Sequence, residues 1–174
     1  MLRSAYFCAA ISLVMGACAA PPPQLQPADE EELAAVARFS AEVDRCVREK
    51  DLDAFAALWT DDIALLNPHQ PPVVGKRAVE DAYRAMFAAL DYDGHHQPGE
   101  THSIGDLIIH QGVVRGTMTP TAGGPPMKLD NKYLWLLRQQ GDGSLLAWRV
   151  MLNANAPMMP PPTDQGGEQD SIAR

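Results

Sequence analysis

Cysteine is scarce in this chain: Cys8, Cys18 and Cys46 are the only three in 174 residues. Two of them fall near the N-terminus, so the body of the chain holds one thiol, which excludes an internal disulfide framework. Positive charge is scarce as well. Fourteen Lys and Arg stand against 22 Asp and Glu, a formal net charge of −8. No basic stripe interleaved with aromatics occurs, which argues against a nucleic-acid partner. No apolar run reaches the roughly 20 residues that span a bilayer. HExxH motifs and Cys/His clusters are missing, and Gly123-Gly124 lies between strand-like runs instead of ahead of a helix, so it is no phosphate loop. No metal site and no cofactor are expected.

The first residues read as an address. Arg3 supplies a positive start, and residues 5–16 form a short apolar run followed by small residues, as in a bacterial export signal. Two processing readings stand side by side. Val14-Met15-Gly16-Ala17-Cys18 resembles a lipobox, with Met15 where Leu is usual, and makes Cys18 the lipidated first residue of the processed chain. Alternatively Ala17-Cys18-Ala19 is an ordinary small-residue cleavage site. The lipobox reading is favoured, which predicts a periplasmic, lipid-anchored protein over a soluble secreted one. The Pro-rich residues 19–28 suit an extended tether. Residues 159–174 are rich in Pro, Gly and polar side chains and read as a disordered tail. One domain remains, residues 29–158, long enough to bury a core without staples.

Within it, Leu33, Val36, Ser40, Val43 and Val47 recur at steps of three and four, one face of a helix that runs to about Lys50. Asp51 is placed to cap a second helix whose Leu52, Phe55, Ala56 and Trp59 face inward. Residues 63–66 form a short strand, broken by Pro68, Pro71 and Pro72, and Val73-Val74 can pair back on it. Gly75 precedes a third helix with Val79, Met86, Phe87 and Leu90 on its buried side. The second half is strand-like over residues 99–104, 106–111, 113–119, 128–138 and 145–155, and Asp142-Gly143 marks a hairpin turn. This predicts an α+β plan: three N-terminal helices packed on a curved, mostly antiparallel sheet.

The helix–strand–Gly–helix order of residues 51–83 resembles the SnoaL-like proteins of the nuclear transport factor 2 and ketosteroid isomerase superfamily. It is most similar to a bacterial group related to the calcium/calmodulin kinase association domain. Lys132-Tyr133-Leu134, Arg138, Asp142-Gly143, Arg149 and Asn153 follow that group's strand–turn–strand pattern. The resemblance implies a cone-shaped fold, a pocket inside it, and dimerisation through the outer sheet face. It covers nearly the whole domain, and fold alone licenses no activity. The sequence departs from the group on the last strand: Val150 and Asn155 stand where acids are usual, and Leu145-Leu146 where an aromatic is usual.

Candidate chemistry is sparse. Asp130 shares a strand face with Lys132 and is the best general-base candidate, weighed against a rim ion pair, which is the favoured reading. His69, between Pro68 and Gln70, is an acid–base candidate at the mouth of the expected cone. Trp59, Asn67, Tyr83, Phe87, Lys132 and Asn153 are candidate ligand contacts, with Lys132 suited to an anionic group. His95 and His96, between Asp93-Gly94 and Pro98, read as a solvated loop, and Cys46 as a packed thiol. The favoured function is binding of a small, partly apolar molecule. An isomerase-, dehydratase- or hydrolase-type enzyme and a homodimeric assembly module, with Trp135 on its outer face, are the alternatives.

Overall fold

The computed structural model describes residues 22–155. The expected export signal, the Cys18 lipidation site and the tail from residue 159 lie outside the described residues. Helix α1 (Glu30–Glu49) begins at a capping box. Asp29 Oδ1 accepts from the Glu32 N–H at 2.9 Å, and Glu32 Oε2 accepts from the Asp29 N–H at 2.9 Å. Two otherwise orphan donors are thereby paired. The helix stops at Lys50, whose φ of 57° ends the helical turn. Its buried stripe is Val36, Phe39, Val43 and Val47. Asp51 then caps α2 (Leu52–Ala57), accepting from the Ala54 N–H at 3.1 Å. Helix α3 (Lys76–Ala89) follows Gly75 and buries Val79 and Phe87.

The strands are β1 (Gln26–Pro27), β2 (Trp59–Leu66), β3 (Val73–Val74), β4 (Leu90–Ile104), β5 (Leu107–Pro120), β6 (Met127–Gln139) and β7 (Leu145–Ala154). They form one sheet in the order β1-β4-β5-β6-β7-β2-β3. Every pairing is antiparallel except β2 with β7, where Leu65 lies opposite Val150 in parallel register. The helices pack on this sheet, so the expected α+β architecture holds.

Three boundaries differ from the sequence reading. Trp59 opens β2 instead of closing α2, because Leu58 leaves helical geometry and its carbonyl accepts from the Ala147 N–H at 2.8 Å. The sheet also reaches into the segment read as a tether. Gln26 and Pro27 pair with Ser103 and His102, and Pro is tolerated there because β1 is an edge. Finally, β4 and β5 run unbroken through the Gly94 and Gly112 positions that read as a loop and a break.

Those glycines are fitted to their neighbours. Gly94 lies directly opposite Gly116. At Gly116, with φ +155°, a Cβ would run into the Asp93 carbonyl oxygen. At Gly112 a Cβ would lie 2.5 Å from Tyr133 Oη, the phenol on the strand opposite. Missing side chains there leave room for large ones next door, and allow the sheet to wrap the helices. The core that results joins α1, α2, α3 and the inner sheet face through edge-on aromatic pairs. Phe39 meets Trp135 at 5.4 Å, and Phe55 meets Trp59 at 4.7 Å and Tyr83 at 4.8 Å between ring centroids. Each such pair adds about 0.5–1.5 kcal/mol beyond its burial.

Candidate active site

Strand alternation decides which side chains enter the cone. On β4, Tyr92, Gly94 and His96 turn inward; on β6, Leu129, Asn131, Tyr133, Trp135 and Leu137 do so. Together with α1, α2 and α3 they enclose a cavity of about 190 Å³. That is below the roughly 300–1,000 Å³ of drug-sized sites, so the space suits a ligand of one or two rings. Phe39, Phe55, Trp59, Val114, Met118 and Leu152 supply apolar wall. Its polar groups are the Tyr83 and Tyr92 phenols, the Asn131 amide and the His96 imidazole. Lys and Arg are absent from this wall among the described residues.

His96 is the chemical centre of this wall. Its Nδ1 lies 2.6 Å from Asp44 Oδ1, and its backbone N–H donates to Asp44 Oδ2 at 3.1 Å. The two side chains are only 8% and 16% exposed. A carboxylate accepts and does not donate, so Nδ1 carries a proton, and in the neutral imidazole the tautomer this selects leaves the lone pair on Nε2. The imidazole packs against two rings on the inner face of β6, with ring centroids 5.0 Å from Tyr133 and 4.6 Å from Trp135. An imidazole oriented by a buried carboxylate, on the wall of an apolar space, is the arrangement of a general base. Burial pushes the Tyr83 phenol up to about 12 and raises Tyr92 as well, so both remain hydrogen-bond donors at neutral pH.

The sequence candidates divide between this cavity and the outside. Trp59 and Tyr83 line the cavity. Phe87 sits behind that wall, 5.9 Å from the Tyr83 ring. Asn67 follows the end of β2, away from the cavity, and its Oδ1 is buried with no partner. Lys132 and Asn153 are opposite each other on the outer sheet face. Asp130 shares that outer face, which corrects its placement as a pocket base. Its carboxylate accepts from Asn155 at 2.9 Å and Lys128 at 3.1 Å, and Arg115 is 3.6 Å away. Those contacts, the Asn155 amide first, hold its pKa below the usual carboxylate value. The spacing rightly joined Asp130 to Lys132 but did not say which face was inside. His69 is an exposed turn residue at φ 62°, away from the cavity. Trp135, expected on the outer face, is 3% exposed and packs against Phe39.

Asp44, Tyr92 and Asn131 were not singled out from the sequence, and His96, read there as part of a solvated loop, lies instead within β4 with its side chain 8% exposed. The signal for two of them was the inward alternation Tyr92-x-Gly94-x-His96, hidden because Asp93-Gly94 resembles a turn. Asp44 stands four residues after Ser40, one turn along the helix face that was read as packing. Cys46 is wholly buried and its thiol is pushed up to about 11, first by burial, which fits packing and not nucleophilic work. Among the described residues no group of three or more His, Cys, Asp or Glu is placed to hold a metal ion.

Residues 36–151 match the model of the SnoaL-like domain. The chain belongs to the SnoaL-like domain family. Solved structures of the same shape include a ketosteroid isomerase-like protein from Erwinia carotovora atroseptica, 26% identical, with TM-score 0.67 over 74% of this chain and 100% of that one. A dehydratase candidate of the NTF2-like family from Streptomyces avermitilis is 14% identical, with TM-score 0.63 over 74% of this chain and 100% of that one. A scytalone dehydratase candidate from Novosphingobium aromaticivorans is 16% identical, with TM-score 0.62 over 72% and 85% of the two chains. No curated protein matches the sequence. In this SnoaL-like domain the Asp44–His96 pair joins α1 to β4, while Val150 on β7 and Asn155 just after it stand where the resemblance implied acids.

Proposed function

We propose that this SnoaL-like domain is an acid–base enzyme of isomerase or dehydratase type, acting on a small, uncharged, largely apolar carbonyl compound. The observation that carries the proposal is the Asp44–His96 pair, 2.6 Å apart, in the wall of an apolar cavity. His96 Nε2 takes a proton from the carbon next to the carbonyl, and the electron pair moves onto the carbonyl oxygen. The Tyr83 or Tyr92 phenol or the Asn131 amide donates a hydrogen bond to that oxygen. In a β,γ-unsaturated substrate the imidazolium then returns its proton to the γ-carbon as the electron pair moves back from oxygen, which completes an isomerisation; in a β-hydroxy substrate it protonates the hydroxyl, which leaves as water while the returning pair forms the α,β double bond. Asp44 stabilises the imidazolium and keeps Nε2 free in the resting state. The absence of a cationic side chain from the wall supports an uncharged substrate. The solved relatives with dehydratase and isomerase names lend this reading further support.

Exchange of α-protons in D2O, followed by NMR across a panel of cyclic ketones and β-hydroxy ketones, tests the reading. Asp44→Asn and His96→Gln should each slow exchange by about 100-fold or more, the range of general acid–base catalysis. Unchanged exchange in both variants would sink it. A second reading is favoured by the mostly apolar lining: a binding module without turnover. Saturable binding with no exchange on any bound compound would select it. The proposal also keeps the exported, lipid-anchored address and the homodimer read from the sequence. Cys18→Ser should move the protein from the membrane fraction to the soluble fraction, and an unmoved distribution would leave simple secretion.

A further inference from the structure

Behind His96 runs a polar line that the proposed chemistry does not use. Thr101 Oγ1 lies 2.8 Å from His110 Nδ1, and His110 Nε2 lies 2.9 Å from Tyr133 Oη. His110 is 0% exposed, and both its ring nitrogens are engaged by protein. Burial first, and the neighbouring His96 second, hold its pKa down at about 4, so it is neutral at physiological pH. A neutral imidazole donates from one nitrogen and accepts at the other, and hydroxyls can serve either role, so the line is fully satisfied. Gly112 keeps the place of the phenol open, since a Cβ there would lie 2.5 Å from Tyr133 Oη.

We infer that His110 is a positioning residue: pinned by Thr101, it holds the Tyr133 phenol and so keeps the Tyr133 ring against the His96 imidazole. This rests on the reading of His96 as the base. Two effects follow. The angle at which His96 faces the cavity is fixed on one side by Asp44 and on the other by Tyr133 and Trp135. The Tyr133 and Trp135 rings, at centroid distances of 5.0 and 4.6 Å, also leave the imidazole little room to rotate. The titratable groups around His96 are Asp44 from α1, Tyr92 from its own strand, His110 from β5, Tyr133 from β6, and Tyr83 from α3 across the cavity. His110 is held neutral by burial and the phenols of Tyr83, Tyr92 and Tyr133 are raised, so none of these places a second cation against a proton on His96.

Long-range 1H–15N spectra of the histidine rings, recorded over a pH series on the full chain, provide the test. His96→Gln assigns the His96 signals. In the wild type they should show one tautomer with Nδ1 protonated. In Thr101→Val and in Tyr133→Phe, both near-isosteric, they should move toward a mixed tautomer with a displaced titration midpoint. Thr101→Ser, which restores the hydroxyl, should restore the wild-type spectrum. Where α-proton exchange is measurable, the same two variants should slow it by about 10-fold at unchanged half-saturation, as partners behind a catalytic group do. A His96 spectrum and titration identical in wild type, Thr101→Val and Tyr133→Phe would overturn the inference. Failure of His96→Gln to slow exchange would instead remove the enzymatic reading, while the spectra still decide the positioning.

Discussion

His110 makes the molecule sensitive to acid. Its pKa in the fold is about 4, against about 6.5 for a free imidazole. Between those values the unfolded chain binds the extra proton, so stability rises with pH across that window. The contribution is complete above about pH 6.5 and is lost as pH falls toward about 4; by pH 5 the loss is about 2 kcal/mol. Unfolding free energies from urea titrations at pH 7 and pH 5 should differ by about that amount in the wild type. The difference should shrink in His110→Gln, and an equal pH response in both proteins would contradict the assignment. His110 also shows what the sequence concealed at this scale. It was visible as one of five histidines, but its partners lie on β4 and β6. Hydrogen bonds between strands are fixed by register, and one histidine carries no mark of its register.

Elements were more legible than side-chain roles, for a physical reason. Helix α1 announces itself by a three-and-four apolar rhythm and by acids at its first turn, both local properties of the chain. Asp51 and Gly75 mark the starts of α2 and α3 in the same local way. The inner face of β6 could not be chosen from spacing alone, because Asp130, Lys132 and Leu134 alternate as regularly as Asn131, Tyr133 and Trp135. Only packing against α1 breaks that tie, and it put the ion pair outside. The β4–β5 pair was misread because glycine usually ends strands, whereas here it relieves crowding between two strands paired along most of their length. Gly116→Ala tests this directly. Its Cβ would meet backbone, which cannot swing aside as a side chain can. The variant should lose about 1–3 kcal/mol, the cost of overpacking, read as a lowered urea midpoint at unchanged slope. A loss as small as that of a surface substitution would mean that the pair tolerates a methyl group and that crowding does not shape it.

At the scale of the whole molecule, the cavity is a deliberate gap in an otherwise packed core. Val150 lies on its wall, opposite Trp135 on the neighbouring strand. Val150→Phe should place a ring in the space a ligand would take. A small ketone bound at a hundredfold excess over its Kd stabilises a fold by about 2.7 kcal/mol, which appears as a raised Tm in the wild type. The variant should keep its cooperative unfolding and lose that rise. Retention of the full rise would move the binding site elsewhere.

The parallel contact between β2 and β7 has a consequence in time. Every other long pairing joins neighbours along the chain, so hairpins can close soon after their residues are made. Leu65, by contrast, must wait for Val150, and the Leu58 carbonyl for the Ala147 N–H. Until β7 docks, Trp59, Ile63 and Leu65 are apolar side chains on a strand with one edge unpaired. Such intermediates are slow to resolve and prone to associate. A chain in which β7 has not yet docked is therefore a natural client for a chaperone, and docking of β7 on β2, more than formation of any helix, is the event that commits this domain to its fold.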